Sequence, residues 1–527
     1  TKGAIGFARG KGVDVSDLKI IDGPRGPVVA VEVQTGGEST VELLQQGISN
    51  AILKMDFEKS MRWGNGSVSW ARPINKLIVL FGNEHIPCSV GDVSSGATDA
   101  GHRLFATPFK MTSTSEWVRQ LSSCKVIVDR TLRRTICSSQ LKDWTNRLSA
   151  TIQDWDLLDE VVDLVEFPVT IRCQFPEDLL ELPPRLLVEA MKLHQRVFPL
   201  YNHDGTLRSD FLVITNHPFA DQPDVAATIA EGNKRVLTAR FYDAKFFFAE
   251  DRKKTLVTHG ERLQNMRWVR KGGTVAEKVQ RLEEMSSTWA STFNADSDLL
   301  KRSATLCKSD LTTQMVNEFA KLQGHVGKLL AGFDGEDSSV CIAIEEHYLP
   351  HGSEDEYPKT PEGLALAFID QLDSLQRCFE LGLQPKGSSD PLGLRRAANG
   401  LVRLLLRANI SLSCSSFLEG PLLDFLLARM KSHFQDAYGG DIAAAVFATG
   451  LDCPVSLNGR MIAMRELSQS ENFAEMRATF KRVMGLTKEH TQTVLTDVVW
   501  VHSTESTLAN AFAATHSTVT QQLATQE

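Results

Sequence analysis

The sequence predicts a multi-domain α+β protein with a mixed α/β N-terminal half and an all-helical C-terminal half. At about 100–200 residues per domain, its 527 residues allow three to five domains. Hydrophobic residues make up 42% of the chain and charged residues 23%, as in ordinary globular proteins. Runs of β-branched residues occur mainly before residue 256, and apolar residues repeat at helical spacing after it.

The N-terminal half combines short strands with isolated helices. β-branched and apolar runs predict the strands Val28–Val33, Lys76–Phe81, Lys125–Asp129 and Phe211–Thr215. Apolar spacing of three to four residues predicts the helices Val41–Met55, Leu157–Leu164 and Pro183–Phe198, and Pro108–Leu121 is predicted to be a loop followed by a helix.

The C-terminal half is predicted to be helical throughout. The helices expected there are Thr274–Ser291, Leu299–Gln323, Glu362–Leu381 and Leu392–Ile410. Proline and glycine break the pattern at Leu349–Pro361 and Gln384–Pro391, and the weakly patterned end from Thr504 is expected to fray. The domains we expect are 1–155, N-terminally incomplete; 156–260; 261–392; and 393–527, C-terminally incomplete.

The bulk chemistry excludes several classes of protein. The net charge of 57 − 65 = −8 argues against sequence-blind coating of nucleic acid but allows a local basic face. The nine cysteines are scattered without a CxxC pair, which indicates free thiols in a reducing compartment. No run approaches the roughly 20 apolar residues of a membrane span. P-loop, GxGxxG, HExxH and GxSxG motifs are also absent from the sequence.

Two early segments place cations beside an indole or a glycine. Lys59–Gly64 contains Arg62 and Trp63, and Arg72 follows Trp70, a pairing that suits stacking together with phosphate contact. The alternative is a buried tryptophan with arginine over its face. Gly101–Arg103 suits close approach to a phosphate, or is a turn with exposed polar residues.

Two middle segments combine cations with polar or aromatic side chains. His194 and Gln195 suit recognition of a base edge or ribose, although their place near a helix C-terminus explains them without function. Glu231–Phe248 mixes cations and aromatics as single-strand binders do. Here we expect at least two of the three residues Phe246–Phe248 to fill a core instead.

Two later segments allow different chemistries. Carboxylates and histidine at Asp310, His347, Asp370 and Asp373 suggest a metal-dependent phosphohydrolase, but metal-binding bundles usually supply closely spaced histidines, which are missing here. In the segment 394–407, arginines at 396, 403 and 407 form a basic stripe that is either a phosphate track or a solvated face.

In order and spacing, these segments resemble the β subunit of bacterial-type glycine–tRNA ligase. Phe167 and Val197 replace the family's Trp and Tyr, and Leu104 replaces a usual aromatic residue. The matching motifs are Lys59–Gly64, Arg72–Ile74, Gly101–Arg103, Leu164–Pro168, Met191–Pro199, Gly232–Asn233, Ala239–Arg240, Asp243–Ala244, Lys308–Gly327, Glu345–Pro350, Gly387–Pro391 and Leu394–Arg396.

The resemblance implies a class II aminoacyl-tRNA synthetase of α and β subunits. In that family the α subunit binds ATP, with Mg, and glycine and forms the adenylate, whereas the β subunit binds tRNA-Gly. This chain alone is therefore expected to be inactive and to carry no cofactor. Its partners would be the α subunit, or a fused α module, and tRNA-Gly, in a hetero-oligomer located in the bacterial cytoplasm, a plastid or a mitochondrion.

The resemblance also assigns regions and residues. Residues from about Ser411 onward are expected to read the anticodon arm, and Lys308–Leu383 resembles an HD-type phosphohydrolase that lost its His-Asp doublet. No catalytic or metal-binding residue is expected. The predicted tRNA contacts are Arg62, Trp63, Arg72, His102, Arg103, His194, Gln195, Arg240, Lys308, Arg395, Arg396, Arg403, Lys481 and Arg482. A metal-dependent HD-type phosphohydrolase and a non-catalytic RNA-binding scaffold are the alternatives.

Overall fold

The computed structural model describes residues 1–527 except 24–25, 34–36, 106–107, 351, 353–355, 388, 489–500 and 525–527. The chain forms two compact units. Unit 1 contains Thr1–Thr255 and Asp310–Val326, and unit 2 contains Leu256–Ser309 and Gly327–Glu527. The first boundary lies close to the predicted boundary at residue 260, whereas the return of 310–326 to unit 1 was not predicted. The finer division into four domains stays a prediction.

The helices and strands confirm a mixed first half and a helical second half. In chain order the helices are α1 (Lys2–Lys11), α2 (Thr40–Leu53), α3 (Trp117–Ser123), α4 (Arg130–Leu148), α5 (Asp156–Val162), α6 (Pro184–Ala190), α7 (Pro223–Asp251), α8 (Leu256–Gly260), α9 (Val275–Trp289), α10 (Ser297–Leu306), α11 (Gln314–Glu318), α12 (His325–Phe333), α13 (Ser338–Glu346), α14 (Pro361–Glu380), α15 (Leu394–Ala408), α16 (Gly420–Tyr438), α17 (Gly440–Phe447), α18 (Pro454–Ser468), α19 (Phe473–Thr487) and α20 (Ser503–Ala524).

The strands of the described residues all lie in unit 1. They are β1 (Lys19–Gly23), β2 (Gly26–Ala30), β3 (Met61–Arg62), β4 (Ser69–Trp70), β5 (Leu77–Ile78), β6 (Leu80–Phe81), β7 (Glu84–His85), β8 (Ser89–Val90), β9 (Val93–Gly96), β10 (Thr98–Asp99), β11 (Phe109–Lys110), β12 (Val169–Gln174), β13 (Phe198–Tyr201) and β14 (Leu207–Thr215). Most are two-residue segments in small sheets, whereas β12, β14 and β13 form an antiparallel sheet in that order.

The β12–β14–β13 sheet anchors the core of unit 1. Phe198, Leu212 and Ile214 from this sheet pack with Leu158 and Val162 of α5. The outer edge of β12 is covered by α4 at one position: the Thr170 amide donates to Gln140 Oε1 at 2.7 Å. The Trp144 indole in turn donates to the Thr170 carbonyl at 3.1 Å.

One predicted strand is wrong, and one predicted helix is shorter than predicted. Lys125–Asp129 is not a strand: Lys125 adopts a left-handed φ of 62°, and Arg133 Nη1 donates to the carbonyls of Ile127 and Val128 at 2.8 Å. The predicted helix Pro183–Phe198 ends early. After α6 comes one π turn, Met191–Gln195, and Phe198 already begins β13.

The predicted helix Leu299–Gln323 is broken into pieces. α10 ends at Leu306, a 3₁₀ turn spans Ser309–Thr312, and α11 begins at Gln314. The start of α11 is fixed by Asp251, whose buried carboxylate accepts the amides of Gln314 at 3.0 Å and Met315 at 2.9 Å. This contact holds the returning segment within unit 1.

Elements with strong apolar spacing were predicted well. α2, α5, α9, α14 and α15 lie within a few residues of their predicted bounds. α4 and the 29-residue α7 were missed. In α7 the buried residues Leu237, Phe241, Ala244 and Phe248 do follow helical spacing, so that signal was present in the sequence.

Unit 2 is built around α14. Its Phe368 ring lies 4.8 Å from the Trp289 ring, 5.1 Å from Phe293 and 5.8 Å from Phe417. α9, α13 and α15 pack against the same helix. All nine cysteines are free thiols, as expected. Within the described residues, no helix is long and apolar enough to cross a membrane.

We predict that Asp251→Ala selectively loosens α11. Two helix-start amides lose their buried acceptor, at a cost of about 2 kcal/mol, which corresponds to roughly thirtyfold faster exchange of those amides if they exchange by local opening. Hydrogen exchange of Gln314 and Met315 measures this effect. The control is Asp224→Ala, which removes an exposed carboxylate from the first turn of α7, the helix that ends at Asp251. Equal protection of α11 in both variants would contradict the prediction.

Candidate nucleic-acid interface

Arg62 and Arg72 are exposed on the small strands of unit 1. Arg62 lies in β3 opposite Ser69, and Trp63 after it is half-buried. Arg72 Nη1 donates to the Ala71 carbonyl at 3.1 Å. Neither guanidinium has a carboxylate within 4 Å among the residues that the structure describes. Both are therefore free to contact an anion.

The structure of the Gly101–Arg103 segment differs from that expected of a phosphate-binding segment. Gly101 has a φ of 64°, and a Cβ there would lie 2.3 Å from Cys124 Cβ, so the glycine serves close packing. His102 is fully buried, and its Nδ1 accepts the Leu104 amide at 3.2 Å. Of the two side chains His102 and Arg103, only that of Arg103 is exposed. In the folded chain His102 therefore cannot reach an RNA surface.

Arg103 lines a cleft of about 560 Å³. The lining also includes Arg133, Asp163 and Glu166. Asn216 lines the cleft as well, and its side-chain oxygen accepts the amides of Glu166 at 2.8 Å and Phe167 at 3.0 Å. The charges in this cleft are mixed, so it does not select an anion by itself.

The fold brings His194 and Arg240 into one cluster, although they are far apart in sequence. The His194 ring meets Phe319 edge-on at 5.4 Å between centroids. Desolvation lowers the pKa of His194, and Arg240 and Arg196 lower it further against the opposing effect of Glu318. His194 is therefore neutral at pH 7 and half-buried, as is Gln195, whereas Arg240 is exposed and lies 3.9 Å from Asp243.

Lys308 lies inside unit 2 instead of on its surface. Its ammonium donates to His347 Nε2 at 2.8 Å and to Asp370 Oδ2 at 2.9 Å, and lies 4.1 Å from the Tyr348 ring centroid. His347 Nδ1 lies 2.7 Å from the Ile344 carbonyl, so it must donate there and leave Nε2 as the acceptor. Lys308 is thus unavailable to RNA, contrary to its assignment as a contact.

A second lysine and an arginine complete the same buried network. Lys278 Nζ lies 2.9 Å from both Asp370 and Asp373, and Arg281 Nε donates to Asp373 at 2.5 Å. Burial alone would raise the pKa of Asp370, but the ammonium groups of Lys278 and Lys308 hold it well below its usual range. Burial and Lys308 lower the pKa of His347 to about 3.

The network argues against the metal-dependent alternative. Its carboxylates and imidazole are already bound by three cationic side chains, which take the place of a divalent ion. Asp310 belongs to unit 1, where its carboxylate accepts the Gly324 amide at 2.6 Å. Among the described residues no group of three or more His, Cys, Asp or Glu side chains is arranged to hold a metal.

Lys278 and Arg281 were not among the residues predicted from the sequence. Lys278 shares a helix face with Val275, Val279 and Leu282, which are buried. A lysine within an apolar stripe signals a buried counterion, because an unpaired ammonium would not be placed there. That pattern was readable from the sequence.

The basic stripe of α15 is only partly exposed. Arg396 and Arg407 face solvent, whereas Arg403 is half-buried and donates to the Gly352 carbonyl at 2.8 Å. Arg395 is half-buried and donates to the Gly387 carbonyl. In α19, Lys481 and Arg482 are exposed, and the helix buries none of its residues.

The predicted contacts therefore fall into three groups. Buried residues are His102 and Lys308, and half-buried ones are Trp63, His194, Gln195, Arg395 and Arg403. The exposed cations are Arg62, Arg72, Arg103, Arg240, Arg396, Lys481 and Arg482.

Comparison with known proteins identifies the class to which this chain belongs. Residues 1–448 match the family model described as glycyl-tRNA synthetase beta subunit. The chain is 34% identical to the glycine–tRNA ligase beta subunit of Chromohalobacter salexigens, over 98% of the chain and 78% of that relative. It is 35% identical to those of Bacillus subtilis and Neisseria gonorrhoeae, over 93% of the chain and 73% of each relative.

These matches define a subunit of an aminoacyl-tRNA synthetase. More particularly, the chain belongs to the glycyl-tRNA synthetase beta subunit family. The resemblance drawn from its motifs is confirmed.

We predict that His347 makes the stability of unit 2 depend on pH. Its pKa falls from 6.5 to about 3 on folding, so the unfolded chain binds the extra proton between these values. The stabilisation is complete above pH 6.5 and is lost as the pH falls through this window. His347→Gln should flatten the slope of unfolding free energy by up to about 1.4 kcal/mol per pH unit.

Urea unfolding followed at several pH values measures that slope. The control is His502→Gln, at an exposed histidine of the same unit. A slope that is the same in both variants would show that His347 does not titrate on unfolding.

Proposed function

We propose that this chain holds tRNA-Gly while glycine is activated and transferred by a separate α subunit or a fused α module. ATP and Mg belong to that catalytic partner in this proposal. Two facts support it: the chain belongs to the glycyl-tRNA synthetase beta subunit family, and it lacks the sequence motifs of common nucleotide-binding sites.

The observation that carries the tRNA role is the set of unpaired guanidinium groups on unit 1. Arg62, Arg72 and Arg103 are exposed and have no carboxylate within 4 Å in the described part of the chain. Other arginines of unit 1 are neutralised: Arg130 lies 2.8 Å from Asp163, and Arg134 lies 2.9 Å from Asp159. In a chain of net charge −8, unpaired cations are the groups able to bind phosphate.

The helical regions receive two further assignments in this proposal. The part of Lys308–Leu383 that belongs to unit 2 forms a degenerate, non-hydrolytic HD-like domain, whose buried carboxylates Asp370 and Asp373 are bound by lysine side chains. The helices from about Ser411 onward read the anticodon arm through exposed cations such as Lys481 and Arg482.

The double variant Arg62→Gln/Arg72→Gln should weaken binding of tRNA-Gly. Two lost phosphate contacts would reduce the magnitude of the salt slope of log affinity by about 2. Fluorescence anisotropy with labelled tRNA-Gly between about 50 and about 200 mM salt measures it. The matched control is Arg134→Gln, since that guanidinium is already bound to Asp159; an equal loss in the control would contradict the assignment.

Aminoacylation requires the α partner in this proposal. The chain alone should bind tRNA-Gly but show no glycine-dependent ATP–pyrophosphate exchange, and addition of the α subunit should supply that activity. Exchange by the chain alone would overturn the division of labour. Absence of tRNA binding at low salt by the folded chain would favour a non-catalytic relic.

A further inference from the structure

Helix α7 displays two aromatic rings to solvent on one face. Tyr242 is 50% exposed and Phe246 is 57% exposed, whereas Phe241 and Phe248 on the opposite side are buried. Residues four apart on a helix are neighbours one turn away, so the two rings share a surface. Of the three residues Phe246–Phe248, Phe248 is core, Phe247 is half-buried and Phe246 faces outward.

Two unpaired cations flank these rings. Arg235 lies two turns before Tyr242 on the same face, and Lys245 lies beside Phe246. Both are exposed, and neither has a carboxylate within 4 Å among the residues whose positions are described. We call Arg235, Tyr242, Lys245 and Phe246 the α7 stripe; it runs about 16 Å along the helix.

The carboxylates near the α7 stripe are already paired. Asp243 lies 3.9 Å from Arg240, Glu231 lies 3.5 Å from Lys234, and Glu250 lies 2.5 Å from Lys253. The charge left without a partner on this face is therefore positive. A polyanion complements it better than the apolar face of another protein would.

The α7 stripe also selects the form of the polyanion. Exposed aromatic rings gain by stacking on flat bases, and cations at the same surface neutralise the backbone that joins those bases. Bases within a duplex are stacked on each other and present only their edges, whereas unpaired bases offer their faces. The combination therefore favours single-stranded RNA.

We propose that the α7 stripe is a stacking platform for unpaired nucleotides of tRNA. Tyr242 and Phe246 stack on successive bases, and Arg235 and Lys245 contact the phosphates beside them. The proposal rests on the tRNA-binding role proposed above and adds the part of the RNA that this surface takes.

The double variant Tyr242→Ala/Phe246→Ala tests the platform in the full chain. Its affinity for tRNA-Gly and for a single-stranded oligoribonucleotide of mixed sequence should fall about tenfold or more, because two base-stacking contacts are lost. Affinity for a blunt RNA duplex should not change. The variant Tyr242→Phe/Phe246→Tyr keeps both rings and should bind like the unmodified chain.

Val236→Ala is the matched control, since Val236 is an exposed apolar residue of the same helix on another face. It should leave every affinity unchanged. Circular dichroism and thermal melting establish that each variant is folded before binding is compared.

A spectroscopic signature reports the stacking directly. In Phe246→Trp, the added indole should lose fluorescence when the oligoribonucleotide binds, relative to the unmodified chain measured in parallel. In Val236→Trp the added indole should not respond. A merely structural role of Phe246 would give no such difference.

The outcomes separate this proposal from the one on which it rests. Unchanged RNA affinity in the double alanine variant overturns the platform and leaves the tRNA-binding role intact. If the unmodified chain binds neither RNA, both proposals fall. If RNA affinity is unchanged while light scattering shows an altered molar mass, the α7 stripe is a protein-docking face and the platform is overturned.

Discussion

The buried pairing of two lysines with two aspartates is the constraint on which unit 2 depends. Lys278 and Lys308 both contact Asp370, and Lys278 also contacts Asp373, so the network ties α9 and the segment that follows α10 to the central helix α14. Removing one ion would leave its partner charged in a low-dielectric interior, which costs about 3–5 kcal/mol. The network therefore specifies how these helices pack, and it also explains why the histidine beside it is held neutral.

The same network limits the chemistry that its own carboxylates and imidazole can support. A lysine ammonium satisfies a carboxylate and an imidazole as a divalent cation would, but it cannot lower the pKa of a bound water or polarise a phosphoryl oxygen as a metal does. The charged interior thus serves architecture, and the chain's candidate functional groups lie on its surface. This separation agrees with a family whose members are subunits of a larger enzyme.

The sequence predicted the elements whose apolar spacing is strong and misjudged those set by individual hydrogen bonds. α14 and α15 were placed within a few residues, whereas the start of α11 depends on Asp251, far away in sequence. The exposed arginines at 62 and 72 were predicted as candidate contacts, but spacing could not show that His102 is buried or that Lys308 is taken by Asp370. The charge of a residue does not show whether its side chain is buried. Only Lys278 could have been predicted to be buried, because it lies within the apolar face of α9.

The coverage of Thr170 by Gln140 and Trp144 has a consequence for the solubility of the nascent chain. An uncovered edge strand is a template to which identical chains can add, and amyloid-like stacking begins at such edges. Because α4 precedes β12 in the chain, Gln140 and Trp144 are synthesised before the strand edge that they cover. Once α4 has packed against β12, the amide and the carbonyl of Thr170 are therefore closed to strand exchange with another chain.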